Sequence, residues 1–266
     1  MSSGRAAGDL LAALQPRGEA GRAAPWLRAV LAQAGVELRL SLRRGESVLV
    51  TLVVPVVLLA FFMSIGAAPP GAERSIDFLL PGTLALAVMA AGLPNLGIAT
   101  AYERGDGVLK RLGATPLSRA GLVVAKVLAL LALEVVQVVA LVALAAGVYG
   151  WRPQGTPLLA IPALLLGTAA FAGLGLVLAG TLRPEATLAI ANGLFLILLL
   201  VGGLFLPLSA LPPWMAAVGR VLPAAALADT LRAALMGAPE EPAAALLLAG
   251  WAVAAPVVAA LTFRWE

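Results

Sequence analysis

The chain has 266 residues, 61% of them hydrophobic and 12% charged, with a mean hydropathy of +1.00. A soluble domain carries about 25% charged residues, so this composition excludes an ordinary soluble fold. Cys and His are both absent, which removes disulfides, the usual zinc sites and His-based acid–base chemistry; the net charge of +4 informs only through where the charges fall.

The apolar residues gather in uncharged runs long enough to span a bilayer, without the period-2 alternation of a membrane barrel. Backbone polar groups in lipid must be satisfied within each helix, so the expected fold class is an all-α polytopic membrane protein. Residues 1–25, rich in Gly, Ala and Arg, read as a flexible cytoplasmic tail. Residues 26–45 follow as an amphipathic helix. Leu27, Leu31, Ala34, Leu38 and Leu42 share a stripe with Val30, while Arg28, Gln33, Glu37, Arg39, Arg43 and Arg44 fall on the other side. Such a helix ahead of a span predicts an interfacial helix on anionic headgroups; an N-terminal extension of the first span is the other reading.

Residues 46–266 hold six expected spans, at about 47–68, 78–101, 121–149, 157–182, 186–207 and 243–263. Pro69-Pro70-Gly71 ends the first, and Pro94 is placed to kink the second. The third contains Glu134, and also Lys126, whose long stem lets it snorkel to the cytoplasmic surface. Between spans five and six, Pro207, Pro212, Pro213, Pro223, Gly237, Pro239 and Pro242 divide an apolar stretch. Two short helices, about Pro213–Val221 and Ala224–Met236, fit these breaks as a re-entrant pair at the outer boundary. Thirteen Lys and Arg fall on the side of the N-terminus, against four opposite (Arg74, Arg152, Arg220 and Arg232). This places both termini, and the loop between spans two and three, in the cytoplasm. The two halves share no repeat, which counts against an inverted-repeat carrier.

That loop is a charged island between apolar runs. Gly105 and Gly107 end the second span. Val108, Leu109 and Leu112 form one side of a short helix with Lys110 and Arg111 opposite, Thr115-Pro116 stops it, and Ser118 can cap the third span. A short helix tied to two spans without slack transmits a push; an ordinary positive-inside loop is the plainer reading. Within the spans, Glu134 stands out, with Gln137 one turn away. An ionised carboxylate there costs roughly 2.5–3.5 kcal/mol, so Glu134 either lines a translocation route, pairs across a dimer, or is a protonated or partnered structural residue. Asn95 and Asn192 read as interhelical glue or as further route residues. Asp229 and Arg232 make an i,i+3 pair, and Gly202-Gly203 permits either close packing or a hinge. A P-loop needs Gly-Lys-Ser/Thr. The only lysines are Lys110, after Leu109, and Lys126, after Ala125, so ATP must be handled by another chain and no cofactor or metal is expected on this one.

Leu79–Gly82 (LLPG) and Glu103–Ser118 (ERGDGVLKRLGATPLS) resemble segments of the permeases of ABC-2 type exporters, a group that includes drug and antibiotic resistance permeases. Gly203–Trp214 is similar to the family's GxFFPxxxLPxW region, and Leu222-Pro223 with Asp229–Arg232 to its NPL…DxLR signature. The resemblance implies a type V-like exporter with two permease copies, expected as a homodimer, and two cytoplasmic ABC ATPase subunits that hold ATP and Mg. It implies that the loop is a coupling helix, with Glu103, Arg104, Val108, Leu109, Lys110, Arg111 and Leu112 at the ATPase. The amphipathic helix would be the connecting helix, and Pro207, Pro212, Trp214, Asp229 and Arg232 would mark the outer re-entrant region. Gly113 departs from the pattern where the family often carries a charged residue. The location implied is the bacterial cytoplasmic (inner) membrane, and an apolar lining suits a hydrophobic or amphipathic substrate, a drug or lipid-like molecule. The alternative is an ATP-independent, proton-coupled carrier using Glu134. A membrane-embedded enzyme is disfavoured by the lack of His, Cys and any close carboxylate pair within a span.

Overall fold

The structure, a computed structural model, describes residues 25–43, 45–66, 74–112, 118–238 and 242–263, without the side chains of 45–50, 111, 112 and 119. The expected tail, the Pro69-Pro70-Gly71 turn, Gly113, the Thr115-Pro116 stop, Pro239 and Arg264 lie outside the described residues.

Every regular element among the described residues is helical. In order they are α1 (Trp26–Arg43), α2 (Gly45–Ser64), α3 (Ser75–Ala90), a π-helical turn (Ala91–Leu96), α4 (Gly97–Gly105), α5 (Val108–Leu112), α6 (Arg119–Tyr149), α7 (Ala160–Thr181), α8 (Pro184–Val201), α9 (Pro213–Gly219), α10 (Pro223–Met236) and α11 (Pro242–Thr262). Short 3₁₀ turns at Pro157–Leu159 and Leu208–Ala210 lead into α7 and α9. Among the described residues, five helices are long and apolar enough to cross a membrane: Ser75–Gly105, Ala120–Tyr149, Pro157–Thr181, Pro184–Val201 and Pro242–Thr262. α2 has 20 residues, about 30 Å of helix; its described apolar stretch is Thr51–Ser64.

Proline and glycine set the irregular points. α3, the π turn and α4 form one rod of 31 residues. Pro94 lies in the π turn. It has no N–H to donate and its ring crowds the preceding turn, so the helix widens there instead of breaking. α8 stops at Val201, short of the expected Pro207. Gly203 then takes φ +67, a left-handed conformation that glycine adopts without a Cβ clash.

α7 lies at the centre, packed along α11 and against the π turn, α4 and α10. Its contact with the rod of α3, the π turn and α4 is backbone to backbone. A Cβ on Gly175 would stand 2.5 Å from the Gly92 carbonyl oxygen and 2.9 Å from that of Leu93. Small residues allow this approach, which supplies dispersion contacts where lipid offers no hydrophobic drive. Gly175→Ala is therefore expected to lower thermal stability in detergent, by about 1–3 kcal/mol or more. Gly193→Ala, at a position with open space around it, should melt like the parent chain.

α1 runs beside α6 in the same direction. Trp26 meets Ser118, and further along both helices Glu37 meets Lys126. α2 keeps to that course, with the Thr51 carbonyl accepting from Gln137 Nε2 at 2.8 Å. Val30 and Ala34 are the residues of the leucine stripe that α1 buries, against Ala125 and Leu128. Leu27, Leu31 and Leu42 stay exposed. Close approach to α6 selects the smaller side chains, and the pull of Glu37 toward Lys126 fixes the rotation of the helix.

Candidate functional site

The C-terminal end of α4 is fastened on two sides by neighbouring residues. Glu103 and Arg104 project about 100° apart on the helix. Arg104 Nη1 donates to the Gly180 carbonyl at 2.8 Å, and Nη2 donates to the Leu182 carbonyl. These carbonyls lie at the C-terminal end of α7, where a helix runs out of its own donors. On the other side, Glu103 accepts from Lys126 Nζ, which also donates to Glu37 Oε2 at 3.1 Å. Gln33 Nε2 donates to the second Glu37 oxygen at 2.9 Å. Glu103 thus ties α4 to α6 and α1, while Arg104 ties it to the α7–α8 turn. Pro184 packs against the same end, its Cγ 2.9 Å from where a Gly105 Cβ would be.

Lys126 is 4% exposed, so it turns inward and does not snorkel to the surface. Two carboxylates within reach hold the ammonium in place of water, as a buried charge requires. Its partnership with Glu37 and Glu103 is not legible in the sequence, although a lysine in a run whose only other charge is Glu134 signals that a counter-charge must lie nearby.

Past Asp106 and Gly107 comes α5. Val108 is 38% exposed and Lys110 is exposed, whereas Leu109 is buried. Of the residues expected at the ATPase, Val108 and Lys110 therefore face outward and Leu109 seats the loop. Glu103 and Arg104 bond to the helix bundle. The side chains of Arg111 and Leu112 lie outside the described residues. Ser118 caps α6, its Oγ accepting from the Gly121 N–H at 3.1 Å and from Trp26 Nε1 at 3.3 Å.

Glu134 and Gln137 are both buried on α6. Thr168 Oγ1, on α7, donates to Glu134 Oε2 at 2.6 Å. Gln137 Nε2 reaches the Thr51 carbonyl, and Asn95 Nδ2 donates to Thr51 Oγ1 at 3.3 Å. Of the route candidates, Glu134 thus bonds to α7, while Gln137 and Asn95 meet at Thr51 of α2. Asn192 stands apart, exposed on α8 and donating to the Leu188 carbonyl of its own helix at 2.9 Å. Thr51 and Thr168, common residues in spans, gave no signal of this role.

At the opposite end, Pro207 and Pro212 flank the 3₁₀ turn before α9, and Trp214 is exposed. Arg232 Nη1 donates to Asp229 Oδ1 at 2.7 Å. Its Nη2 donates to the Gly203 and Leu204 carbonyls at 2.7 and 3.1 Å, and the guanidinium lies 4.0 Å from the Phe78 ring centroid. This one side chain joins α10 to the loop after α8 and to the first turn of α3. Among the described residues no group of His, Cys, Asp or Glu could hold a metal ion.

Residues 30–236 match the family model described as ABC-2 type transporter. Over 204 residues the chain is 28% identical to YvfS of Bacillus subtilis (strain 168), named as a transport permease, covering 72% of this chain and 79% of that protein. Over 163 residues it is 28% identical to ABC transporter G family member 20 of Dictyostelium discoideum, covering 60% of this chain but 22% of that protein. The matched segment runs from α1 through the fastened loop and the polar cluster to the end of α10. With its set of apolar spanning helices and no ATPase motif of its own, the chain belongs to the ABC-2 type transporter family as a membrane permease.

Proposed function

We propose that the chain is the membrane subunit of an ATP-driven exporter, worked by a separate cytoplasmic ATPase that docks on the loop between the second and third spans. The observation that carries this reading is the double fastening of α4: a push on Val108 or Lys110 reaches α1 and α6 through Glu103, and α7 and α8 through Arg104. In this reading α2 is the first of six spans, both termini lie in the cytoplasm of a bacterial cell, and α9 and α10 re-enter the outer boundary. A second copy completes the route, ATP and Mg sit on the partner, and the cargo is a hydrophobic or amphipathic molecule, drug or lipid-like.

The absence of Cys makes the test direct. Val108→Cys provides a unique thiol that should cross-link to a co-expressed ATPase. Lys110→Glu should reduce transport about tenfold, the weight of roughly 1.4 kcal/mol at a charged interface, while ATP hydrolysis continues. Absence of the cross-link together with parental transport in Lys110→Glu would remove the loop as the docking site.

A further inference from the structure

The end of the bundle away from the loop carries an open-sided cavity of about 730 Å³, within the range of small-molecule sites. Its walls come from α10, the first turns of α3 and α11, and the loop after α8. Their chemistry is divided. Ala243, Ala244 and Leu247 of α11, with Pro207 and Leu208, form an apolar side. The charged side holds Arg220, Asp229 and Arg232.

Asp229 and Arg232 are paired with each other, which leaves Arg220, exposed at the end of α9, as the other cation among the described residues of the wall. A cationic side therefore faces an apolar wall a few residues long. That division suits an amphiphile with an anionic head, and a guanidinium matches phosphate oxygens in a bidentate fork.

We propose that this cavity binds a phospholipid, with its phosphate at Arg220 and an acyl chain along the first turns of α11. The assignment of that lipid to the outer leaflet rests on the orientation given under the proposed function; the binding itself does not. The site is separate from the loop and needs no ATPase.

The test uses the purified full chain in detergent, titrated with phosphatidylglycerol and with diacylglycerol of the same acyl chains, with bound lipid counted by native mass spectrometry. Phosphatidylglycerol should bind one site about tenfold or more tighter than diacylglycerol, as expected for charge-assisted hydrogen bonds. Arg220→Gln should weaken phosphatidylglycerol by that factor and leave diacylglycerol unchanged. Ala244→Trp, which fills the apolar side, should remove both, with thermal melting of each variant confirming that it is folded. Equal binding of the two lipids by the parent chain, parental phosphatidylglycerol affinity in Arg220→Gln, or undiminished binding in Ala244→Trp would each overturn the proposal. None of these outcomes bears on ATPase docking, which the cross-link at Val108→Cys decides separately.

Discussion

Lys126→Met should destabilise the chain by about 3–5 kcal/mol, the usual consequence of removing one partner from a buried ionic group. The methionine keeps the length and much of the packing of the lysine stem, so the loss is electrostatic. Glu37 and Glu103, 12% and 15% exposed, would face each other without the ammonium between them. Parting of α1 from α6 would let water solvate them fully. A thermal melt in detergent should show the loss, and α1 should become open to proteolysis first, because its contact with α6 is its main attachment. Replacing all three residues together, as Glu37→Leu, Glu103→Leu and Lys126→Met, removes the stranded charges. Apolar substitution of a whole ionic triad is often neutral or stabilising, so the triple variant should melt close to the parent. Its transport separates two roles. If the ionic contact passes loop motion to α1 and α6, the triple variant folds, supports ATP hydrolysis by the partner, and transports poorly. Full transport in the triple variant would reduce the triad to a packing device.

The elements legible in the sequence are those fixed by local chemistry. Uncharged runs define helices because lipid leaves the backbone no other arrangement, and prolines at Pro213 and Pro223 start α9 and α10 because a first-turn residue needs no N–H. Even the irregular point at Pro94 was marked, although whether a helix answers a proline by kinking or by a π turn depends on what packs against it. Tertiary choices were not legible. The leucine stripe of α1 has the right period for burial, yet α6 accepts Val30 and Ala34, because helix rotation is set by the closest approach of two surfaces and one sequence supplies only one of them. Glu103 and Arg104 read as a charged pair at the ATPase, beside the loop. They point inward because the end of α7 offers unpaired carbonyls and α6 offers a buried ammonium, and both lie far off in sequence. Glu134 announced a partner by its position in an apolar span, but nothing in a threonine names Thr168 as that partner.

Arg104→Ala should uncouple the transporter, lowering transport about tenfold or more for the loss of charge-assisted bonds worth roughly 1.5–3 kcal/mol, with ATP hydrolysis continuing. The guanidinium spans the Gly180 and Leu182 carbonyls with separate nitrogens. Arg104→Lys keeps the charge but has one compact head, which cannot hold both carbonyls in the same geometry. It should therefore behave more like alanine than like the parent, and restored transport in Arg104→Lys would mean that charge alone suffices. A double variant then separates the two fastenings. Among the described residues Arg104 and Lys126 bond to different partners, so their effects on stability should add. Their effects on transport should not add if both lie on one route from the loop into the bundle, because either break already stops the push. Additive losses in transport would instead mean that α1 with α6, and α7 with α8, are driven independently, and that α4 works as two levers rather than one.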